Sequence, residues 1–594
     1  SGLQGQLLPY IDEGRLVARQ EGEHGTYTLW SMRGTQLQLR ESGIPKAIVS
    51  NNTRICPQFS ADVMQAALPL VLHDNPQRTL LLGLQGGVTL DTCFHFPLQQ
   101  LTCVESDPAL IRLVKENVLA AEKRDLFEDG RVRMLPIDPT LALAAADEQY
   151  DVIISSPDQP ALAKSTPYYT LEFYRNAANQ LADDGIFCQR FQYVDFGPGP
   201  LRAVTATLQK AFQTVTAIET ASGELALVAT NSPKGLMREG LMARLEADHV
   251  RNVLGQLGWD WVVPLNLSAY HPTTLTKFVA ETDAASNTAA NGHLAHRLPL
   301  EVMRWGAKWE EIRDVLASRT GSLLKWNTRD DASDALLRLE EISGQRNLII
   351  RYPDEKWAYR KTLRKRMKTK SRSIIMPVKG GDPKRTLHPD DKRRKEYFSA
   401  LGTAVKTPNA TNIQHIAEFS QPYDPLVSFF LHDEIVRLYD RTENPDPQAE
   451  LEHRLYLVYY SDPRDRSVRN IVAALNLLVD HPQAVPNAMA RRDHLDSLLQ
   501  MLKSRWHGRG AGTPISKNVA LNDVAESVSA TAAAFAAMEK LYTDNNLDAA
   551  DWNSRKRVLE RSLLRPLRTY RTQLLAQQPK PGPKPATGNQ SNAN

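Results

Sequence analysis

The sequence predicts an α/β protein: a Rossmann-like sheet preceded by a small antiparallel sheet and followed by a mainly α-helical C-terminal half. Three observations carry this. Between Thr79 and Phe212, short apolar runs alternate with helix-length segments, the pattern of parallel strands joined by crossover helices. Before them, glycine-punctuated runs alternate apolar and polar residues, as half-buried strands do. Past Pro233 the strand signals largely give way to helical periodicity.

In chain order, "RLVARQ", "GTYTLWSM" and "TQLQLRES" are broken by Gly25, Gly34 and Gly43, so Gly14 to about Ser50 is expected to be the antiparallel sheet. In "FSADVMQAALPLVLH", Val63, Ala67 and Leu70 fall at helical spacing. "TLLLG", "LTCVES", "VRMLPI", "YDVIIS" and "GIFCQRF" are expected strands, separated by segments such as "PALIRLVKENVLAAE". After "PLRAVTATLQKAF", the runs "TVTAIET" and "LALVAT" flank the turn "ASGE". A terminal antiparallel hairpin on an otherwise parallel sheet suits the nucleoside-binding, methyltransferase-type architecture better than a six-strand dinucleotide fold.

Helical periodicity then runs through segments such as "LMARLEADHVRNVLGQL", "NIVAALNLLVD", "HLDSLLQMLKSRW" and "VAESVSATAAAFAAMEKLY". "NLIIRY" and "SIIMPV" are isolated strand-like runs, and no clean repeat period emerges. The expected organisation is an N-terminal β region over 1–60 and a Rossmann-like nucleoside-binding domain over 61–232. An extension follows over 233–300, a mainly helical region over 301–578, and a disordered tail over 579–594, where apolar residues nearly vanish.

With 594 residues, 42% apolar and 24% charged, the chain has the composition of a multidomain soluble protein. Its formal charge of +4 is unevenly spread: Arg360 to Arg372 holds eight basic residues in thirteen and no acid. That segment reads first as a solvated linker and next as a patch for an anionic membrane surface, with nucleic acid the least favoured partner. Cys56, Cys93, Cys103 and Cys188 lack metal-ligand spacing and read as reduced core thiols, which fits a cytoplasmic location. His293 and His296 have no carboxylate partner in a motif, so no metal site is expected. No apolar run approaches the ~18 residues of a membrane span.

The chemistry concentrates in "LLLGLQGGV". Gly83, Gly86 and Gly87 follow a buried strand and allow a tight turn with close backbone approach to a ligand. Glu105 closes the second strand, 22 residues after Gly83, where a carboxylate can accept hydrogen bonds from ribose hydroxyls. Asp138 ends the third strand, where an acid can accept from an adenine amino group. Three such elements at three successive strand ends point to an adenosine site. Tyr168 and Tyr169 suit either a pocket wall or aromatic core packing.

The runs "NPQRTLLLGLQGGVTL", "VESDPALIRLVKENV", "YDVIISSPDQP", "TLEFYRNAANQLADDGIFCQRF" and "LALVAT" resemble the spermidine synthase family of aminopropyltransferases. The likeness is greatest to a divergent bacterial branch often fused to a membrane-spanning module. It covers about residues 10 to 300, including "SNTAANGHLAHRLPL", similar to the segment that closes the domain in that branch. The resemblance implies decarboxylated S-adenosylmethionine as group donor, an amine as acceptor, and a role in polyamine biosynthesis. Gly83, Gly86 and Gly87 then match the loop around the methionine-derived tail, Glu105 the ribose acid and Asp138 the adenine acid. The family's loop acid falls on Gln85, its catalytic aspartate on Ser156 with Asp158 two residues on, and its tyrosine-histidine pair on Ala61 and Asp62.

These departures count because an amine acceptor is cationic and must lose a proton before it attacks. General-base help is worth roughly 10²- to 10⁴-fold, and Asp158 is the carboxylate left in the loop to supply it. Two other readings follow: a methyltransferase using S-adenosylmethionine itself, whose carboxylate neutral Gln85 would not repel, and a non-catalytic nucleoside sensor or scaffold whose helical half binds a protein. A homodimer is a further expectation, and the resemblance implies membrane-spanning helices before Ser1, which would make this chain the cytoplasmic part of an anchored protein.

Overall fold

The computed structural model describes residues 14–119, 126–145, 148–157, 160, 162–193, 196–221, 223–282, 284–305, 321–326, 389–417, 432–433, 435–443, 445–460, 467–507 and 520–577. Asp158, the basic segment Arg360–Arg372, the runs at 347–352 and 373–378, and the tail at 579–594 lie outside the described residues. The chain divides into two compact units, Ser1–Asp446 and Pro447–Asn594.

The first unit opens with a four-stranded antiparallel meander, β1 (Arg15–Glu21), β2 (Thr26–Met32), β3 (Gln36–Glu41) and β4 (Ile44–Ser50). β3 and β4 are joined by the two-residue turn Ser42–Gly43, which closes on the pair Glu41↔Ile44. Both turn residues have positive φ, 49° and 83°, the conformation whose twist matches that of the flanking strands. Leu29 and Leu39 face one another across β2 and β3 and are fully buried.

The larger sheet has nine strands: β5 (Arg78–Leu82), β6 (Gln100–Val104), β7 (Val132–Leu135), β8 (Tyr150–Ser155), β9 (Leu181–Gln192), β10 (Thr214–Ala221), β11 (Glu224–Thr230), β12 (Ser268–Tyr270) and β13 (Gly321–Ser322). Their order is β13-β12-β10-β11-β9-β8-β5-β6-β7. β7, β6, β5, β8 and β9 run parallel, while β11, β10, β12 and β13 add on antiparallel. The hairpin of β10 and β11 is therefore not terminal, as its sequence suggests. β12 pairs with β10, and the Thr216 hydroxyl donates to the Tyr270 carbonyl. A three-residue strand is too short to show alternation, so its pairing is set by these tertiary contacts.

Successive strands β5, β6 and β7 step one way across the sheet and β8 and β9 the other. The chain thus reverses direction between β5 and β8, where open α/β sheets form a crevice at their carboxyl ends. Leu81, Leu82, Val104, Ile153 and Ile154 are fully buried on the two faces, each such side chain contributing about 1.5–3 kcal/mol. The helix Ser60–Leu72 is buried at every position from Ala61 to Leu72. It is enclosed on all sides, beyond the one face that Val63, Ala67 and Leu70 mark out. All four cysteines are buried and unpaired.

The second unit is helical: Pro447–Tyr460, Val468–Asp480, Ala488–Trp506, Leu521–Asp544, Ala549–Leu559 and Arg565–Ala576. Several of its buried polar groups are paired. Arg454 bonds Glu450 and Asn470, Arg555 bonds Asp496 at 2.7 Å, and the Tyr459 hydroxyl lies 2.7 Å from His494 Nδ1. Among the described residues, no helix is long and apolar enough to cross a membrane.

Candidate functional site

The parallel ladders run past the last strand residues. Gly83 N–H donates to Val104 O at 2.8 Å, Glu105 N–H to Leu135 O at 3.1 Å, and Ser156 N–H to Leu82 O at 2.9 Å. Neighbouring strands lie about 4.8 Å apart. Gly83, Glu105, Asp138 and Ser156 therefore share one edge of the sheet, in the strand order β8, β5, β6, β7.

The turn after β5 is tight because Gly83 adopts φ 99°, and a Cβ there would sit 2.7 Å from the Ser156 carbonyl oxygen. A Cβ on Gly86 would meet Ala47 Cβ at 2.6 Å and Val49 Cγ2 at 2.9 Å, so the loop packs directly on β4. Between them Gln85, itself at φ 50°, donates from Nε2 to the Ser156 carbonyl at 2.7 Å. Gly87 precedes the helix Val88–Phe94. Ser156 is 2% exposed, and its hydroxyl has no hydrogen-bond partner among the described residues.

Glu105 is held at the same turn, Oε2 accepting from Leu84 N–H and Oε1 from Asp107 N–H, each at 3.2 Å. Asp138 is exposed and caps the helix Pro139–Ala145: Oδ1 accepts from the Thr140 N–H, the Thr140 hydroxyl and the Leu141 N–H. Its Oδ2 takes no hydrogen bond among the described residues. Ile137 and Leu141, 43% and 66% exposed, present apolar surface beside it. Asp158 is outside the described residues, between Pro157 and Pro160 of the loop.

A cavity of about 280 Å³ opens between this edge and the β3–β4 hairpin. Its lining includes Glu41, Ser42 and Lys46 from the hairpin, Gln85 from the glycine loop, Pro157, Pro160 and Lys164 from the segment after β8, Tyr169, and Arg190 and Gln192 from β9. Glu41 is bracketed by two ammonium groups, Lys164 at 2.5 Å and Lys46 at 3.2 Å. Arg190 meets Glu224 through Nε at 3.0 Å and Nη2 at 2.9 Å, and Asp62 through Nη1 at 2.8 Å. Burial pushes the Asp62 carboxyl up to about 6 against the pull of Arg190.

Tyr169 is fully buried against Phe191, ring centroids 5.9 Å apart, and walls the cavity. Tyr168 packs edge-on against Phe173. Asn287 fixes this corner: Nδ2 donates to Tyr169 O at 3.0 Å, and Oδ1 accepts from Leu294 N–H at 3.0 Å. Asn287 N–H donates to the Thr207 hydroxyl and Asn287 O accepts from Leu171 N–H, both at 2.9 Å. The segment "SNTAANGHLAHRLPL" thereby closes the domain on the cavity wall.

The sequence reading does not single out Glu41, Lys46, Lys164, Arg190 or Asn287. One signal was present in "CQRFQ": an arginine inside an otherwise buried strand requires carboxylate partners. Among the described residues, no group of three or more His, Cys, Asp or Glu side chains could hold a metal ion.

The family model described as "Spermine/spermidine synthase domain" matches residues 58–232. A polyamine aminopropyltransferase of Erwinia tasmaniensis is 28% identical over 179 residues, covering 30% of this chain and 60% of that one. One from Moorella thermoacetica is 27% identical over 161 residues, covering 27% and 56%. Polyamine aminopropyltransferase 2 of Streptomyces coelicolor is 33% identical over 137 residues, covering 23% and 25%. The match to these curated relatives spans 60% or less of their own length. The solved spermidine synthase of Thermotoga maritima aligns with a TM-score of 0.32 at 18% identity, covering 41% of this chain and 88% of that one.

Proposed function

We propose, on the premise that residues 58–232 form a domain of the spermine/spermidine synthase family, that the chain is an aminopropyltransferase-like enzyme with decarboxylated S-adenosylmethionine as donor. The observation that carries this reading is the placement of Glu105 and Asp138 on adjacent strand ends beside the Gly83–Gly87 turn. Glu105 is oriented by two backbone N–H groups, which suits a carboxylate that accepts from ribose hydroxyls. Asp138 keeps Oδ2 for an adenine amino group, with Ile137 and Leu141 offering apolar surface to the base. The donor supplies an alkyl group on a sulfonium, which leaves as a neutral thioether.

The chain's own part is to hold the nucleoside, shape the cavity through Tyr169 and Gln85, and remove a proton from the attacking amine. Asp158 is the residue proposed for that last task, with Ser156 beside it on the loop. Incubation of the full chain with decarboxylated S-adenosylmethionine and putrescine should yield spermidine and methylthioadenosine. Asp158→Asn should slow the reaction at least about 10²-fold. Absence of product from a chain that binds methylthioadenosine would remove aminopropyl transfer to putrescine. The second reading, a methyltransferase using S-adenosylmethionine, is favoured by neutral Gln85 in the lining, which would not repel that donor's carboxylate.

A further inference from the structure

We propose that Asp107 is a positioning residue for the ribose acid: it ties the Glu105 turn to the turn between β1 and β2. The N-terminal sheet thereby takes part in selecting a nucleoside with free ribose hydroxyls. The inference rests on the nucleoside-binding reading above and names what holds its carboxylate in place.

The backbone from Glu105 to Asp107 is held at both ends. Glu105 N–H continues the ladder to Leu135 O at 3.1 Å. Asp107 N–H turns back to Glu105 Oε1 at 3.2 Å, so the orientation of that carboxylate follows the position of this peptide. The Asp107 side chain anchors the far end twice. Its Oδ1 caps the helix that begins at Pro108, accepting from Ala109 N–H at 2.9 Å. Its Oδ2 accepts from Glu23 N–H, also at 2.9 Å, in the turn between β1 and β2, 84 residues earlier in the chain.

An N-cap needs one side-chain oxygen. Asp107 is 1% exposed, and a carboxylate buried that far requires partners for its other oxygen too. The hairpin supplies them: besides Glu23 N–H, the buried Tyr27 hydroxyl donates to the same carboxylate. Burial, then the Glu41 and Asp107 carboxylates, push the Tyr27 phenol above its ordinary range, so it remains a donor.

The approach is close enough to exclude a side chain at Gly22. A Cβ there would lie 2.3 Å from Asp107 Oδ2 and 2.5 Å from Tyr27 Cε2. Gly22 N–H bonds Gly25 O at 3.0 Å, which fixes the turn that presents Glu23 N–H. The β1–β2 ladder and the helix cap are each complete without this contact. What it adds is a fixed distance between the hairpin and the Glu105 turn.

Calorimetric titration of the full chain with methylthioadenosine and with its 2′,3′-dideoxy analogue reads the hydroxyl preference. The parent should bind methylthioadenosine at least about tenfold more tightly, the scale of one charge-assisted hydrogen bond. Two variants break the contact from opposite sides. Asp107→Ser keeps a capping oxygen but is too short to reach Glu23 as well. Gly22→Ala leaves Asp107 intact and forces the turn away. Each should cut the preference to about threefold or less by weakening methylthioadenosine, with the dideoxy analogue within about twofold of its parental affinity.

The full preference retained in both variants overturns the inference alone, leaving Asp107 as a helix cap. An equal fall for both ligands in both variants also overturns it, assigning the contact to the fold. A parent that binds both ligands equally removes Glu105 as the ribose acid and the inference with it. Failure of methylthioadenosine to bind the parent overturns the nucleoside reading as a whole.

Discussion

The Gln85 amide nitrogen lies 2.7 Å from the Ser156 carbonyl oxygen. This bond joins the ends of β5 and β8, the neighbouring strands between which the sheet reverses its direction of growth. The same carbonyl limits Gly83, where an added Cβ would approach it to 2.7 Å. One backbone oxygen thus sets both the size allowed at position 83 and the chemistry preferred at position 85: a donor.

Gln85→Glu should therefore lower stability at pH 7 by about 1–3 kcal/mol, because an ionised carboxylate would face the carbonyl with no proton to share. The loss should shrink as pH falls and the new carboxyl protonates, since it can then donate to Ser156 O. Urea denaturation at pH 7 and pH 5 measures both. A variant as stable as the parent at pH 7 would show that this hydrogen bond contributes nothing.

The sheet edge that gathers the candidate nucleoside residues was legible in the sequence because those residues sit where apolar strands end. Gly83, Gly86, Gly87, Glu105 and Asp138 each close or follow such a run, and the parallel order brings those ends together. The cavity beside it was not legible. Glu41 and Lys46 come from a hairpin whose register depends on the Ser42–Gly43 turn, Lys164 from an irregular segment, and Arg190 from the middle of a strand. No local pattern links them; the packing of β4 against Gly86 and the ion pair of Lys164 with Glu41 hold the hairpin over the sheet edge. β12 and β13, three and two residues long, are likewise defined by pairing alone.

The helical unit carries its own pH dependence. Burial pushes the His494 imidazole down to about 4, from an ordinary value near 6.5. Its folded-state value is depressed, so its contribution is fully present above about pH 6.5 and is lost as pH falls toward 4, on the order of 3 kcal/mol in total. Hydrogen exchange of the full chain between pH 7 and 4.5, corrected for intrinsic rates, should show the helices Pro447–Tyr460 and Ala488–Trp506 losing protection. His494→Gln should flatten that loss. Equal pH dependence in the parent and the variant would assign it to other groups.

The most direct test of the nucleoside site is a calorimetric titration of the full chain with methylthioadenosine, repeated on Glu105→Ala. The account predicts one site per chain in the parent. Affinity in the variant should fall on the order of 10- to 100-fold, the value of charge-assisted hydrogen bonds to the ribose. No binding heat at millimolar nucleoside in the parent, or equal affinity in the variant, would contradict it.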